Sequence, residues 1–123
     1  KAHQYLVSSA VSFEMDAAAR ALTVDPIPML KVYRARRERV LEALNAMGLD
    51  VVEPVGAFYT FPSIKKFGLT SEDFCIKAIR EANVALVPGD CFGTEGHIRL
   101  SYCVSDENLD EGLRRLSTFI STL

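Results

Sequence analysis

Arg99 is the side chain in this 123-residue sequence best suited to grip a ligand. It stands in the stretch His97-Ile98-Arg99-Leu100-Ser101-Tyr102-Cys103-Val104, where the side chains of an extended chain would repeat every two residues. Ile98, Leu100, Tyr102 and Val104 then face a core, and His97, Arg99, Ser101 and Cys103 face the other way. On composition alone, an arginine on a polar strand face reads as a solvated charge or a surface ion pair. His97 and Cys103 share its face, but six residues at about 3.3 Å each set them roughly 20 Å apart, too far for a nucleophile and its base. His3 and His97 have no acids or thiols at ligand spacing around them, so no metal site is expected. The basic run Lys31, Arg34, Arg36, Arg37 and Arg39 is interleaved with Glu38 and Glu42 in a chain of net charge −2. That pattern reads as a solvated helix face, and no nucleic-acid partner is expected.

These residues need elements to hold them. Residues 84–87 form a short apolar run closed by Pro88-Gly89, the pattern of a strand buried on both faces and stopped by a turn. The alternating run 97–104 follows as a second strand. Ser105 is placed to cap a helix with Asp106 and Glu107 in its first turn. Leu109, Leu113, Leu116 and Ile120 would form its apolar stripe. Upstream, residues 1–22 predict two short helices interrupted near Ser12 and Phe13. Asp25-Pro26 signals the start of a long helix, with Met29, Val32, Tyr33, Val40, Leu41, Leu44 and Met47 inward and Gly48 ending it. Gly56 and the alternation over 57–61 predict a strand stopped by Pro62, with a further short strand at Val51-Val52; residues 63–68 read as loop. Thr70 and Asp73 approximate a capping box for a helix burying Phe74, Cys75, Ala78, Ile79 and Ala82, ended by Asn83. Gly56, Gly89 and Gly93 are expected at turns. The fold class that follows is α+β: a small, mostly antiparallel sheet with helices packed on one face, preceded by a long helix.

The run Val87-Pro88-Gly89 with Phe92-Gly93, then Ile98-Arg99-Leu100-Ser101-Tyr102 with Ser105 and Leu109 behind it, resembles the C-terminal small domain of the class I and II aminotransferases, fold-type-I enzymes that use pyridoxal phosphate. Pro54-Val55-Gly56-Ala57-Phe58-Tyr59 matches the stretch that opens the sheet of that domain. Lys1-Ala2-His3-Gln4-Tyr5 and residues 17–22 resemble the helices just after the cofactor lysine. The resemblance spans the chain, in the family's order and approximate spacing, with aspartate-type prokaryotic enzymes the nearest in look. It implies residues 1–25 as the tail of the large-domain helices and residues 26–123 as the small domain. It also reverses the composition-based reading of Arg99, which in this family binds the α-carboxylate of the substrate. A guanidinium suits that task because it is planar, permanently charged and offers paired donors to two oxygens. Phe58 and Tyr59 are one core and one half-exposed residue, and the resemblance allows one of them to line the substrate pocket.

The same resemblance implies what the chain does not carry. Transamination needs a lysine that links covalently to pyridoxal phosphate and moves a proton. In this family it lies in a Ser-Lys context upstream of the residues matching Lys1 to Tyr5. No Ser-Lys dipeptide occurs here, and Lys1, Lys31, Lys65, Lys66 and Lys77 lie in other contexts. The expectation is the C-terminal part of a homodimeric aminotransferase acting on an amino acid and a 2-oxo acid, inactive without its large domain. A stand-alone amino-acid-binding module using Arg99, or an interaction-only protein, are the alternatives. The chain is long enough for one modest domain but short for the family's two, and its first residue is lysine, which reads as a fragment. Cys75, Cys91 and Cys103 are odd in number with no C-x-x-C pairing, which argues against a disulfide framework or zinc site and for a reducing compartment. No apolar run approaches the roughly 18 residues of a membrane span, so a cytoplasmic location is expected.

Overall fold

The computed structural model describes residues 5–6 and 9–123, so most of the first expected helix lies outside the described residues. The chain forms two compact units, Lys1–Leu30 and Lys31–Leu123.

In the first unit, helix α1 spans Ser12–Ala21 and buries none of its residues. It starts at Ser12 and Phe13, where the sequence pattern predicts a break. Val11 is extended, and its carbonyl accepts from the N–H groups of both Glu14 and Met15, which opens the helix there. Asp25 caps the next helix, its carboxylate accepting from Ile27 N–H at 3.0 Å. That helix, α2, is Ile27–Ala46, and the division between the two units falls within it.

In the second unit α2 buries Val40 and Leu44. It closes in a Schellman arrangement: Gly48 is left-handed (φ 68°), its N–H donates to Asn45 O at 2.8 Å and Leu49 N–H to Leu44 O at 3.0 Å. Leu44 and Leu49 are both buried, the apolar contact that usually accompanies this cap. Three short strands follow, β1 (Tyr59–Thr60), β2 (Val87–Pro88) and β3 (Ile98–Ser101), all antiparallel in the order β1-β3-β2. Helix α3 (Ser71–Ala82) joins β1 to β2, and α4 (Asp106–Ile120) follows β3. Thr70 caps α3 by accepting from Asp73 N–H, while its hydroxyl donates to the Asp73 carboxylate; Asn83 ends the helix in the left-handed region. Ser105 caps α4 by accepting from Asn108 N–H at 3.3 Å.

Register decides which face each strand residue takes. Thr60 lies opposite Leu100 and Pro88 opposite Ile98, so these share the face under the helices; Tyr59 lies opposite Ser101 and Val87 opposite Arg99, so these share the other. Ile98, Leu100 and Tyr102 are buried with Val40, Leu44, Phe74, Ala78, Leu109, Leu113 and Leu116. This is the α+β layer arrangement expected: a three-stranded antiparallel sheet with helices on one face. Details differ. The paired part of the first strand is only Tyr59–Thr60, and residues 84–86 approach β2 unpaired, with Ala85 exposed, so that run is not buried on both faces. Residues 65–67 of the expected loop form a turn of 3-10 helix, and Val51-Val52 is no strand, Asp50 instead bridging Ser63. Val104 lies beyond the paired strand and is exposed, as are Met29 and Val32. Ile79 is 52% exposed, turned away from the contact that Phe74 makes with α4. Phe119 rather than Ile120 completes the stripe of α4, its ring edge-on to Phe74 at 5.4 Å.

The basic run is not simply solvated. Arg36 Nε lies 2.8 Å from Asp106, Arg39 Nη1 3.0 Å from Asp110, and Arg37 3.4 Å from Glu53, so α2 is tied to the start of α4 and to the segment entering β1. No described helix is long and apolar enough to cross a membrane.

Candidate functional site

The sheet face turned away from the helices carries Arg99 in its central strand. The antiparallel neighbour β1 brings Tyr59 to the same face, and the Arg99 guanidinium carbon sits over the Tyr59 ring, 4.5 Å from its centroid. A second ring approaches from outside the sheet: Phe92, whose centroid is 4.6 Å from the same carbon. Cation over ring face is an electrostatically favourable contact for guanidinium. Phe61, two residues after Tyr59, meets Phe92 edge-on at 6.0 Å and stacks on His97 at 5.3 Å with the planes 6° apart. Arg36, Arg37, Arg39, Arg114 and Arg115 pair with carboxylates, whereas Arg20, Arg34 and Arg80 have no carboxylate partner among the described residues and no aromatic ring against them either. Among the described residues no carboxylate pairs with Arg99. Its charge is therefore held in place by apolar ring faces and not neutralised, the condition under which it can bind an added anion.

The turn that supplies Phe92 is built for close approach. Gly89–Phe92 is a turn of 3-10 helix that Gly93 closes at φ 70°. A Cβ at Gly89 would stand 2.3 Å from Thr94 O and 2.6 Å from His97 O, so only glycine lets this turn lie against the start of β3. The turn is also tied to α3. Glu95 accepts from Ser71 N–H at 2.6 Å and from Ser71 Oγ at 2.7 Å, and Asp90 N–H donates to Ser71 Oγ at 3.3 Å. The Ser71 hydroxyl, reinforced by the Ser71 N–H, holds the Glu95 carboxyl below its ordinary range.

Beneath Tyr59 the backbone is held unusually. Ala57, not Gly56, takes the left-handed conformation (φ 59°), and the buried Tyr102 hydroxyl donates to Ala57 O at 3.1 Å. Tyr102 N–H donates to Phe58 O at 3.0 Å. These bonds fix the lead into β1. Phe58 packs against the core, its ring 6.2 Å from Tyr33, whereas Tyr59 meets Arg99. Cys103 and His97 have separate partners, Tyr33 Oη at 3.1 Å for the thiol and the Phe61 ring for the imidazole. Burial, with Cys91 nearby, pushes the Cys75 thiol up to about 11, so it stays a neutral core side chain.

Sequence reasoning singled out Arg99 and Tyr59, which the fold brings together. It missed Phe61 and Phe92. Period-two spacing from Tyr59 places Phe61 on the Arg99 face, so that signal was present; Phe92 stands in the 87–93 motif, but only the turn geometry turns it toward Arg99.

A cofactor lysine is a separate matter. Lys65 lies along Gly96, Lys66 Nζ donates to Met47 O and Gly48 O, and Lys77 pairs with Glu81. The described residues thus offer a cationic contact with aromatic walls, but no lysine beside Arg99 and no second cation to hold a phosphate. They do not fit as the holders of pyridoxal phosphate.

Comparison with known proteins gives the family. The profile described as Aminotransferase class I and II matches residues 4–116. A Bacillus subtilis (strain 168) protein named a probable N-acetyl-LL-diaminopimelate aminotransferase is 50% identical over 98% of this chain and 32% of its own length. An aspartate aminotransferase of Pyrococcus abyssi (strain GE5 / Orsay) is 43% identical over 94% of this chain and 32% of its own. Among solved structures, an aromatic aminotransferase from Pyrococcus horikoshii OT3 superposes with a TM-score of 0.86 at 40% identity, over 97% of this chain and 34% of that one. The chain spans about a third of the length of the curated relatives it matches. By this match along nearly all of its length, the chain belongs to the class I and II aminotransferases.

Proposed function

We propose that the chain is the C-terminal part of a pyridoxal-phosphate-dependent aminotransferase that moves an amino group between an L-amino acid and a 2-oxo acid, with Arg99 binding the substrate's α-carboxylate. One observation carries this reading: an arginine without a carboxylate partner among the described residues, set against the Tyr59 and Phe92 rings on the sheet face opposite the buried Ile98 and Leu100. The family supports the reaction class, since the relatives named above are aminotransferases.

Residues 26–123 act as the small domain and residues 1–25 as the tail of the large domain, whose remainder binds the cofactor and supplies its lysine. Pyridoxal phosphate, when bound there, provides the electron sink for chemistry at Cα. Arg99 contributes by holding the carboxylate, and so the substrate, in one orientation; it transfers no proton. Tyr59 lines the pocket from this chain, and Phe58 supports it from the core side. The complete enzyme assembles as a homodimer, and the 123-residue chain alone does not transaminate.

The test is steady-state kinetics of the complete enzyme. Truncating one partner of a hydrogen-bonded charge pair costs roughly 2–5 kcal/mol, so Arg99→Ala should lower kcat/KM by at least about 30-fold, with KM raised and kcat reduced. Unchanged kinetics would sink the assignment.

A further inference from the structure

We infer that Phe92 is a positioning residue: its ring face holds the Arg99 guanidinium in place for the substrate carboxylate. The inference rests on the carboxylate-binding role proposed for Arg99 and adds to it a residue outside the sheet.

A long arginine side chain loses considerable rotamer freedom when it is fixed to bind an anion. Here the fixing is done without a carboxylate, by Tyr59 on one strand and Phe92 on the 89–92 turn, with ring centroids 4.5 and 4.6 Å from the guanidinium carbon. An acidic partner would also fix the side chain but would compete with the substrate for the same donors. Ring faces attract the cation and leave its N–H groups for the ligand.

Phe92 is itself braced. Phe61 meets it edge-on at 6.0 Å and is stacked in turn on His97. Its turn is held by Gly89 against the carbonyls of Thr94 and His97, and by the bond from Asp90 N–H to Ser71 Oγ. Yet Phe92 is 47% exposed, which is much for a large aromatic so firmly placed. An exposed ring in a braced turn adds little to the core, and its contacts are with Phe61, which braces it, and with Arg99, which it faces.

The experiment uses the complete enzyme and a double-mutant cycle between Phe92→Leu and Arg99→Lys. Phe92→Leu should raise the KM for the amino acid roughly two- to fivefold, the worth of one cation–π contact at a partly exposed site, while kcat changes less and the melting temperature and cofactor absorbance stay as they are. Phe92→Tyr, which keeps the ring face, should restore the KM. In the Arg99→Lys background Phe92→Leu should have a smaller effect, because a flexible ammonium is not held by the ring in the same way. If Phe92→Leu leaves KM unchanged, or acts equally in both backgrounds, Phe92 does not position Arg99 and the inference is overturned while the role of Arg99 stands. If Arg99→Lys itself leaves KM unchanged, the carboxylate-binding reading falls, and this inference with it.

Discussion

Helices α1 and α4 resemble each other at their starts but not in what they bury. Both mix apolar and charged residues over three to four turns, both begin after an extended residue, and both carry an acid in the first turn. Yet α4 buries Leu109, Leu113, Leu116 and Phe119, while α1 buries nothing and leaves Phe13 at 70% exposure. A ten-residue helix in water is marginal on propensity alone, so α1 needs a surface to lie on. The rest of the polypeptide, about two thirds of the length of the curated relatives, is the surface we propose. An apolar stripe is local to the sequence, but its burial belongs to whatever stands opposite.

Paired truncations test that contrast most severely. Leu116 is fully buried, so Leu116→Ala should cost about 2–5 kcal/mol in urea unfolding of the 123-residue chain. Phe13→Ala in the same chain should stay within about 0.5 kcal/mol, because Phe13 is 70% exposed and little buried area is lost. A large loss from Phe13→Ala would show that α1 is packed in the isolated chain, and the contrast between the helices would collapse. In the complete enzyme the Phe13 substitution should become destabilising.

The same distinction explains what the sequence made legible. Asp25, Gly48, Thr70, Asn83 and Ser105 each mark a helix end correctly, since a cap depends on the few residues around it. The face that Arg99 shares with Tyr59 was half legible: alternation sets the face of Arg99, but only the register of β1 on β3 brings Tyr59 beside it. Ile79 and Ile120 fit their stripes as well as Ala78 and Phe119, and only the packing of Phe119 on Phe74 decides between them. Gly56 is the obvious candidate for a left-handed turn, yet Ala57 takes it, held by the hydroxyl of Tyr102, a residue 45 positions away. Phe92 was hidden for the same reason. Its partner, Arg99, is chosen by the path of a turn and not by a period.

The brace between Glu95 and Ser71 belongs to the packed unit and should respond to acid. Its carboxyl is held below the ordinary range in the folded chain, so the unfolded chain binds the proton more readily. Stability from this group is therefore complete above the ordinary glutamate value of about 4.3 and is lost as pH falls through the depressed folded value. Glu95→Gln should lower the melting temperature at pH 7, and the gap from the parent chain should close below about pH 4. A gap independent of pH would mean that shape, not charge, makes the brace. Because Ser71 also binds Asp90 of the turn bearing Phe92, the same variant in the complete enzyme should raise KM at pH 7.

The smallest effect concerns α2, the helix within which the two units divide. Its ion pairs to α4 are well formed, with Arg39 3.0 Å from Asp110, but both side chains are substantially exposed. Such pairs contribute under about 1 kcal/mol, and screening at 1 M salt, where the Debye length is about 3 Å, weakens them further. Arg39→Ala should therefore cost less than about 1 kcal/mol in 0.1 M salt and close to nothing in 1 M salt. Leu44→Ala on the same helix, fully buried, should cost about 2–5 kcal/mol at either salt concentration. If Arg39→Ala proved as costly as Leu44→Ala, charge would hold α2 as firmly as the burial of Leu44 does, and the ranking of packing over surface pairing on this helix would fall.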